Sequence, residues 1–244
     1  MKKIILTVAT VFALTFANAQ DIKSKKGENY LPQAGDWAIS FQANPFLEYF
    51  GQVAGGNVPA GGGFTANSPV TNAFVGKKFI TDKTAYRVIA NFGFGSNNFN
   101  GGAIPGTGGT VVFNTYKSSS FNLQAGLGKE WRKGSTRLQG FYGADALVGF
   151  ASTKWTETNN PGGNDSFDAG TSINLGVTGF IGAEYFILPK MSIGVQYNYG
   201  LQIASNGAST YSSPGVPDFE ISKSSSNINL GNVTSGSVNV TLHF

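Results

Sequence analysis

Few side chains in this chain can do chemistry. It holds one histidine, His243, and no cysteine, so thiolate metal sites, disulfides and cysteine nucleophiles are excluded. His243 sits in a strictly alternating segment with no serine or acidic neighbour at useful spacing, so it lacks the orienting partner and nucleophile that general-base chemistry requires. The glycines around Gly93 and Gly95 and in the run 101–109 precede neither a Lys-Ser/Thr pair nor a helix start, and read as loop glycines rather than phosphate cradles. Asn159, Asn160, Asn164, Asp165 and Asp168 offer hard oxygen donors of the kind calcium takes, yet the same residues are ordinary turn formers, and a solvated polar loop is the expected reading. No catalytic, cofactor-binding or metal-binding residue is assigned, and the chain is expected to be non-enzymatic and cofactor-free.

The charges that remain are sparse and spaced. Arg87, Glu130 and Glu184 each fall within a few residues of a short polar turn and on the polar side of an alternating segment. Three strands that carry them to similar depth would bring them together as a buried ion-pair cluster, joined by Lys78, Arg132 and Arg137. Buried charges normally occur paired, so the expected role is to neutralise and fill an interior. A proton or ion relay is the alternative.

The elements that must position these residues are strands. Residues 235–244 alternate without a break: Val238, Val240, Leu242 and Phe244 on one face, Ser237, Asn239, Thr241 and His243 on the other. That is the period of a strand with lipid on one side and a wet lumen on the other. Alternation marks seven more segments, near 36–46, 70–80, 85–94, 119–132, 136–150, 173–187 and 191–201. In the second, Ala73, Val75 and Phe79 are expected to face outward, with Lys77 and Lys129 on the same lipid face as snorkelling anchors. The turns at 81–84, 133–135 and 188–190 are short. The connections at 48–69, 95–118, 151–169 and 203–227 are long and rich in Gly, Asn, Ser and Thr. Aromatics at both ends of the apolar band form an expected girdle: Phe79, Trp131 and Tyr185 near the short turns, Phe94, Phe121, Phe150 and Tyr199 near the long loops.

The fold expected is therefore an all-β, eight-stranded antiparallel transmembrane up-and-down β-barrel, with long extracellular loops and short periplasmic turns. Lys2, Lys3 and the apolar run 4–16, closing on Ala17-Asn18-Ala19, look like a cleaved secretory signal over residues 1–19. Residues 20–35 would be a polar periplasmic tail and 36–244 the barrel, with both termini periplasmic. Composition agrees, with 34 glycines, 20 Phe, 9 Tyr, 3 Trp and only 12% charged residues, the average that alternating strands produce. Without Lys2 and Lys3, 15 basic residues face 13 acidic ones, which leaves no nucleic-acid footprint.

On the signal end, the segment Lys78-Phe79 with its Thr81-Asp82-Lys83-Thr84 turn into Ala85-Tyr86-Arg87, the strand count and the terminal Phe244, residues 30–244 resemble the small outer-membrane β-barrel proteins. These include the OmpA-like barrel domain and the OmpX-like barrels. The chain departs from full-length OmpA-like proteins in ending at the barrel, so no peptidoglycan-binding domain is implied. The expectation is an integral protein of the outer membrane, surrounded by outer-membrane lipid and lipopolysaccharide. The barrel-assembly machinery would insert it, with Val240, Leu242 and Phe244 as its C-terminal assembly signal. Its role would be structural or interactive, including service as an accessory subunit beside other outer-membrane proteins. A surface receptor or adhesin acting through the long loops, and a small pore, are the alternatives. A narrow eight-stranded interior is expected to be plugged.

Overall fold

A computed structural model describes residues 22–43, 74–105, 111–159 and 163–244. The expected signal segment and the first long connection lie outside the described residues. Ten strands follow in chain order: β1 Trp37–Gln42, β2 Phe74–Thr81, β3 Thr84–Pro105, β4 Val111–Lys133, β5 Leu138–Asn159, β6 Gly163–Leu188, β7 Met191–Asn206, β8 Ser209–Ser213, β9 Val216–Ser222 and β10 Ser225–His243. All their pairings are antiparallel, in the order β5-β4-β3-β2-β1-β10-β7-β6, and β5 also pairs β6, which closes eight strands into a ring. The hairpin β8–β9 lies outside that ring and pairs the far end of β6 through Phe167 and Tyr211.

Period-two alternation sets the two faces of the wall. Inward positions such as Ala85, Arg87 and Ile89 on β3, or Phe141 and Asp145 on β5, are buried, while their outward neighbours Tyr86, Val88, Tyr142 and Val148 are exposed. The expected facing therefore holds on β3 to β7 and at the end of β10.

It is inverted on β2. Val75, Lys77 and Phe79 point into the ring, and Phe74, Lys78 and Ile80 point out. Phe79, expected in the outer girdle, is 1% exposed in a small core with Ala38 and Ala85. Its outer place is taken by Trp37, over which the Lys78 ammonium sits 4.5 Å from the ring centre. β1 covers Trp37–Gln42 of the expected 36–46, of which 44–46 lie outside the described residues, and Ala43 is buried.

Two long connections are not irregular loops. β3 and β4 stay paired out to Pro105 and Val111, and β5 and β6 out to Asn159 and Gly163, as two projecting ribbons. Their many Ser, Thr, Asn and Gly residues fall on both faces and leave no clear amphipathic period to read, and pairing across each ribbon defines the strands, with shifts between Asn100 and Ala103 and between Ser152 and Lys154. The fourth connection contains the end of β7, the β8–β9 hairpin and the start of β10.

The opposite end is capped. The segment expected as a free polar tail is folded over the short turns: Tyr30 stacks on the Arg137 guanidinium at 4.0 Å, the Ala34 amide donates to Asp82 Oδ1 at 2.7 Å, and the Gly35 amide donates to the Phe79 carbonyl at 2.9 Å. Lys190 joins three parts of the chain. It holds the left-handed position (φ 62°) of the β6–β7 turn, its ammonium pairs with Asp36, and its carbonyl accepts the His243 amide at 2.8 Å.

Candidate functional site

Inside the ring, near the short-turn end, three cations and three carboxylates converge from five strands. Lys77 Nζ and Arg87 Nη1 both lie 2.8 Å from Glu130 Oε2, and Arg132 Nε lies 3.0 Å from Glu130 Oε1. Arg87 Nε lies 3.1 Å from Asp145 Oδ1, and Arg132 Nη2 reaches Glu184 Oε1. Ser192 Oγ donates to the second Glu184 oxygen at 3.1 Å. The network has no formal net charge, and its members are almost wholly out of solvent. Removing such ions from water costs several kcal/mol each, a cost that close pairing and shared hydrogen bonds offset.

Aromatic rings complete the packing. Arg87 lies on the Phe180 face at 3.9 Å, Arg132 on Phe79 at 5.0 Å and Lys77 on Phe141 at 5.2 Å, contacts in which the ring quadrupole attracts the cation. Each large group lies across a neighbouring strand from a glycine: Phe141 opposite Gly182, Phe180 opposite Gly143, Asp145 opposite Gly128 and Glu184 opposite Gly194. A Cβ at Gly143 would meet Phe180 at 2.4 Å, and one at Gly182 would meet Phe141 at 2.3 Å. The glycines are the space into which the plug is built.

Of the expected cluster, Arg87, Glu130, Glu184 and Arg132 meet. Lys78 and Arg137 do not. Lys78 donates to the Gly35 carbonyl on the outside, and Arg137 bonds the Phe186 and Ile187 carbonyls beneath Tyr30. Lys77 takes the position expected of Lys78, one residue away and on the other face. Asp145 joins the network as well; its proximity to Arg87 comes from the pairing of the strands and no local pattern encodes it.

His243 is buried between Phe79 and Phe186, with ring centres at 5.6 and 5.2 Å. Neither of its ring nitrogens has a hydrogen-bond partner among the described residues. It packs as an aromatic and has no contact that would orient it as a base. A polar cavity of about 40 Å³ beside the network is lined by Ser40, Gln42, Lys77, Arg87, Glu184 and Gln196, with room and partners for water. Among the described residues no group of three or more His, Asp or Glu side chains could hold a metal ion. Of the oxygen donors weighed for calcium, Asp168 instead accepts the Gly170 amide at 2.8 Å and Asp165 is engaged with the Tyr211 hydroxyl; Asn160 and the Asn159 side chain lie outside the described residues.

The outer face is the converse of the inner. Trp131, Phe94, Phe121, Phe150, Tyr199, Leu242 and Phe244 are all exposed, while Tyr185 and Val240 are half-buried. At the short-turn end Trp131 stacks on Tyr142 at 5.8 Å, and Lys129 lies between Trp131 and Tyr86. At the ribbon end the cross-strand register aligns the last apolar residues: Phe94 opposite Phe121, Phe150 opposite Ile173 and Ile203 opposite Ile228. The next outward pairs are Ser96 with Ser119, Ser152 with Thr171 and Ser205 with Ser226.

Fold and interior together define an all-β protein built on a closed ring of eight antiparallel strands, charged within and apolar without. No family model matches the chain, and no curated protein matches its sequence.

Proposed function

We propose that this protein is an integral outer-membrane β-barrel with a non-enzymatic role, structural or interactive, of the kind an accessory subunit of a larger envelope complex performs. One observation carries the reading: the apolar outer belt gives way to hydroxyl residues on each of β3 to β7 and β10, level within the β3–β4, β5–β6 and β7–β10 pairs and stepped by two residues from β4 to β5 and from β6 to β7, the stagger that tilted strands need to hold one height. A water-facing protein has no reason to align such a boundary around its circumference; a wall crossing a bilayer must. Between Phe121 and Trp131 lie ten residue steps, ~33 Å of strand, or ~25 Å of height at a tilt of ~40°, the height of the apolar band in such barrels.

In this reading the short turns and both termini are periplasmic and the ribbons face the exterior. Trp37, Tyr86, Trp131, Tyr142 and Tyr185 lie at the inner interface, Val240, Leu242 and Phe244 serve barrel assembly, and lipid and lipopolysaccharide are the surroundings. The charge network is a plug, which disfavours a small pore; planar bilayers containing the folded protein are expected to stay silent. The test is purification from native outer membranes in a gentle detergent, with size and composition read by mass spectrometry and folding by heat-modifiable gel mobility. A folded, membrane-extracted protein with a stoichiometric companion supports the accessory role. A protein recovered in the soluble fraction overturns the membrane reading.

Surface recognition through the exterior ribbons is the second reading. The row of Trp155, Phe167, Tyr211 and Phe219, opposed across β5, β6, β8 and β9, favours it.

A further inference from the structure

One stretch of the outer wall is low and carries a cation at its edge. The outward residues Ala144 and Ala146 of β5 stand between Tyr142 and Val148. Register sets Ala144 between Lys129 on β4 and Gly179 on β6, and Ala146 between Leu127 and Val177. A shallow groove of about 590 Å³ lies there, with Tyr86, Leu127, Lys129, Ala144, Ala146 and Val177 along it. Its floor is the wall at Gly128 and at Arg87 and Asp145, whose side chains turn inward to the charge network. Packing of the wall does not demand this low floor. A Cβ at Gly179 would make only ordinary contacts, the nearest at 3.7 Å, unlike one at Gly143 or Gly182.

The groove is polar at one end only. Lys129 lies on the side of the short turns, its ammonium 5.3 Å from the Trp131 ring centre and 5.8 Å from that of Tyr86. Leu127, Ala146 and Val177 lie one row nearer the middle of the apolar belt. Among the described residues Lys129 makes no ion pair and no side-chain hydrogen bond, and the Tyr86 hydroxyl and the Trp131 indole N–H beside it have no acceptor. Lys78, across Tyr86 in the same row, differs in donating to the Gly35 carbonyl. No acid turns outward on β3, β4 or β5 between the short turns and the upper edge of the belt; Glu130 and Asp145 face the interior.

We infer that this groove binds an anionic glycerophospholipid, its phosphate paired with the Lys129 ammonium between Tyr86 and Trp131, and one acyl chain lying over Ala144, Ala146 and Gly179. Charge toward the turns and apolar surface toward the middle of the belt is the order in which a lipid of the leaflet on the short-turn side presents its own parts. The lone cation selects for net negative charge. A zwitterionic headgroup would bring an ammonium of its own, and the outer face of β3 to β5 offers no carboxylate to receive it. A second copy of this chain is a poor occupant, because it presents no outward acid along these strands to meet Lys129. The inference rests on the membrane reading and names a lipid class and a seat for it.

The test places the folded protein in phosphatidylcholine bilayers containing a minor fraction of lipid with brominated acyl chains, which quench a tryptophan they touch. With W37F and W155F, Trp131 is the sole reporter, at the groove. In a second protein, W37F/W131F/W155F/I193W, the reporter stands on β7 in the row of Leu138, Tyr185 and Val240, which carries no outward charge. Heat-modifiable mobility checks that every variant is folded. Brominated phosphatidylglycerol should be preferred to brominated phosphatidylcholine about fivefold at Trp131, the effect of one lysine at an anionic lipid surface, and not at position 193. Two variants separate the contributions: K129M removes the charge and keeps the groove, while A144L/A146L fills the groove and keeps the charge. Each should bring the preference at Trp131 down to that at position 193. A preference that survives A144L/A146L would be general electrostatic attraction without a seated chain, and would overturn the site. So would a preference that survives K129M, or equal quenching by the two lipids at Trp131 before either change. Absence of quenching at both reporters would instead overturn the membrane reading, and the site with it.

Discussion

Glu130 accepts from Lys77, Arg87 and Arg132 at once, so it is the residue whose loss leaves the most buried charge unpaired. E130Q retains the shape and removes the ion. It should destabilise the folded ring by about 3–5 kcal/mol, the cost of breaking a buried pair from one side, seen as a lower urea midpoint of the folded, faster-migrating gel form. An unchanged midpoint would mean that the network carries no stability. The neighbouring lysines give a sharper comparison. K77A should be strongly destabilising, whereas K78A, which loses an exposed contact to Trp37 and the Gly35 carbonyl, should cost only about 1 kcal/mol or less. If the two cost the same, β2 does not have the register described. That register was not legible locally: β2 has a cation and an aromatic on each face, Lys77 with Phe79 inside and Lys78 with Phe74 outside. Alternation alone favours neither, and only Glu130, 53 residues onward on β4, decides it. Arg87, Glu130 and Glu184 were legible because each is a charge on the polar side of a clearly alternating strand, within a few residues of a short turn.

At the scale of elements, β5 and β6 are matched by interlocking size. Phe141 and Phe180 cross to Gly182 and Gly143, and their rings lie 6.3 Å apart beneath the cations they support. G182V should drive a side chain into the Phe141 ring and the Val195 carbonyl, costing on the order of 1–3 kcal/mol as overpacking does. Adding F141L should recover part of that loss, with a coupling of ~0.5–3 kcal/mol in the double-mutant cycle. Strictly additive losses would show that the ring and the glycine do not share space. Strand identity on β3 to β7 was readable because one face is apolar and the other is not. The ribbons beyond Phe94 and Phe150 were not, because Ser, Thr, Asn and Gly on both sides leave only backbone pairing to define them. The aromatic row of Trp155, Phe167, Tyr211 and Phe219 is dispersed over 65 residues of chain, and it exists only once the register has assembled it.

At the scale of the molecule, the wall is taller than the belt around it. The 26 residues of β6 extend ~85 Å along the strand, about 65 Å of height at a tilt of ~40°, against an apolar band of ~25 Å. Charge plug and folded tail close the short end, and the excess height projects from the other as paired ribbons, so the molecule has one sealed end and one presenting end. A membrane would have to meet the wall at the line where Phe150 and Ile173 give way to Ser152 and Thr171. The absence of cysteine allows that line to be read without background, through single substitutions in cells labelled from outside with a membrane-impermeant maleimide. S152C, T171C and S205C should react, while V148C and V177C, four and six residues nearer the short turns than Ser152 and Thr171, should not until detergent is added. Equal reaction at Val148 and Ser152 in intact cells would mean that no bilayer edge lies between them, and the belt of aligned apolar residues would need a protein partner instead of lipid to cover it.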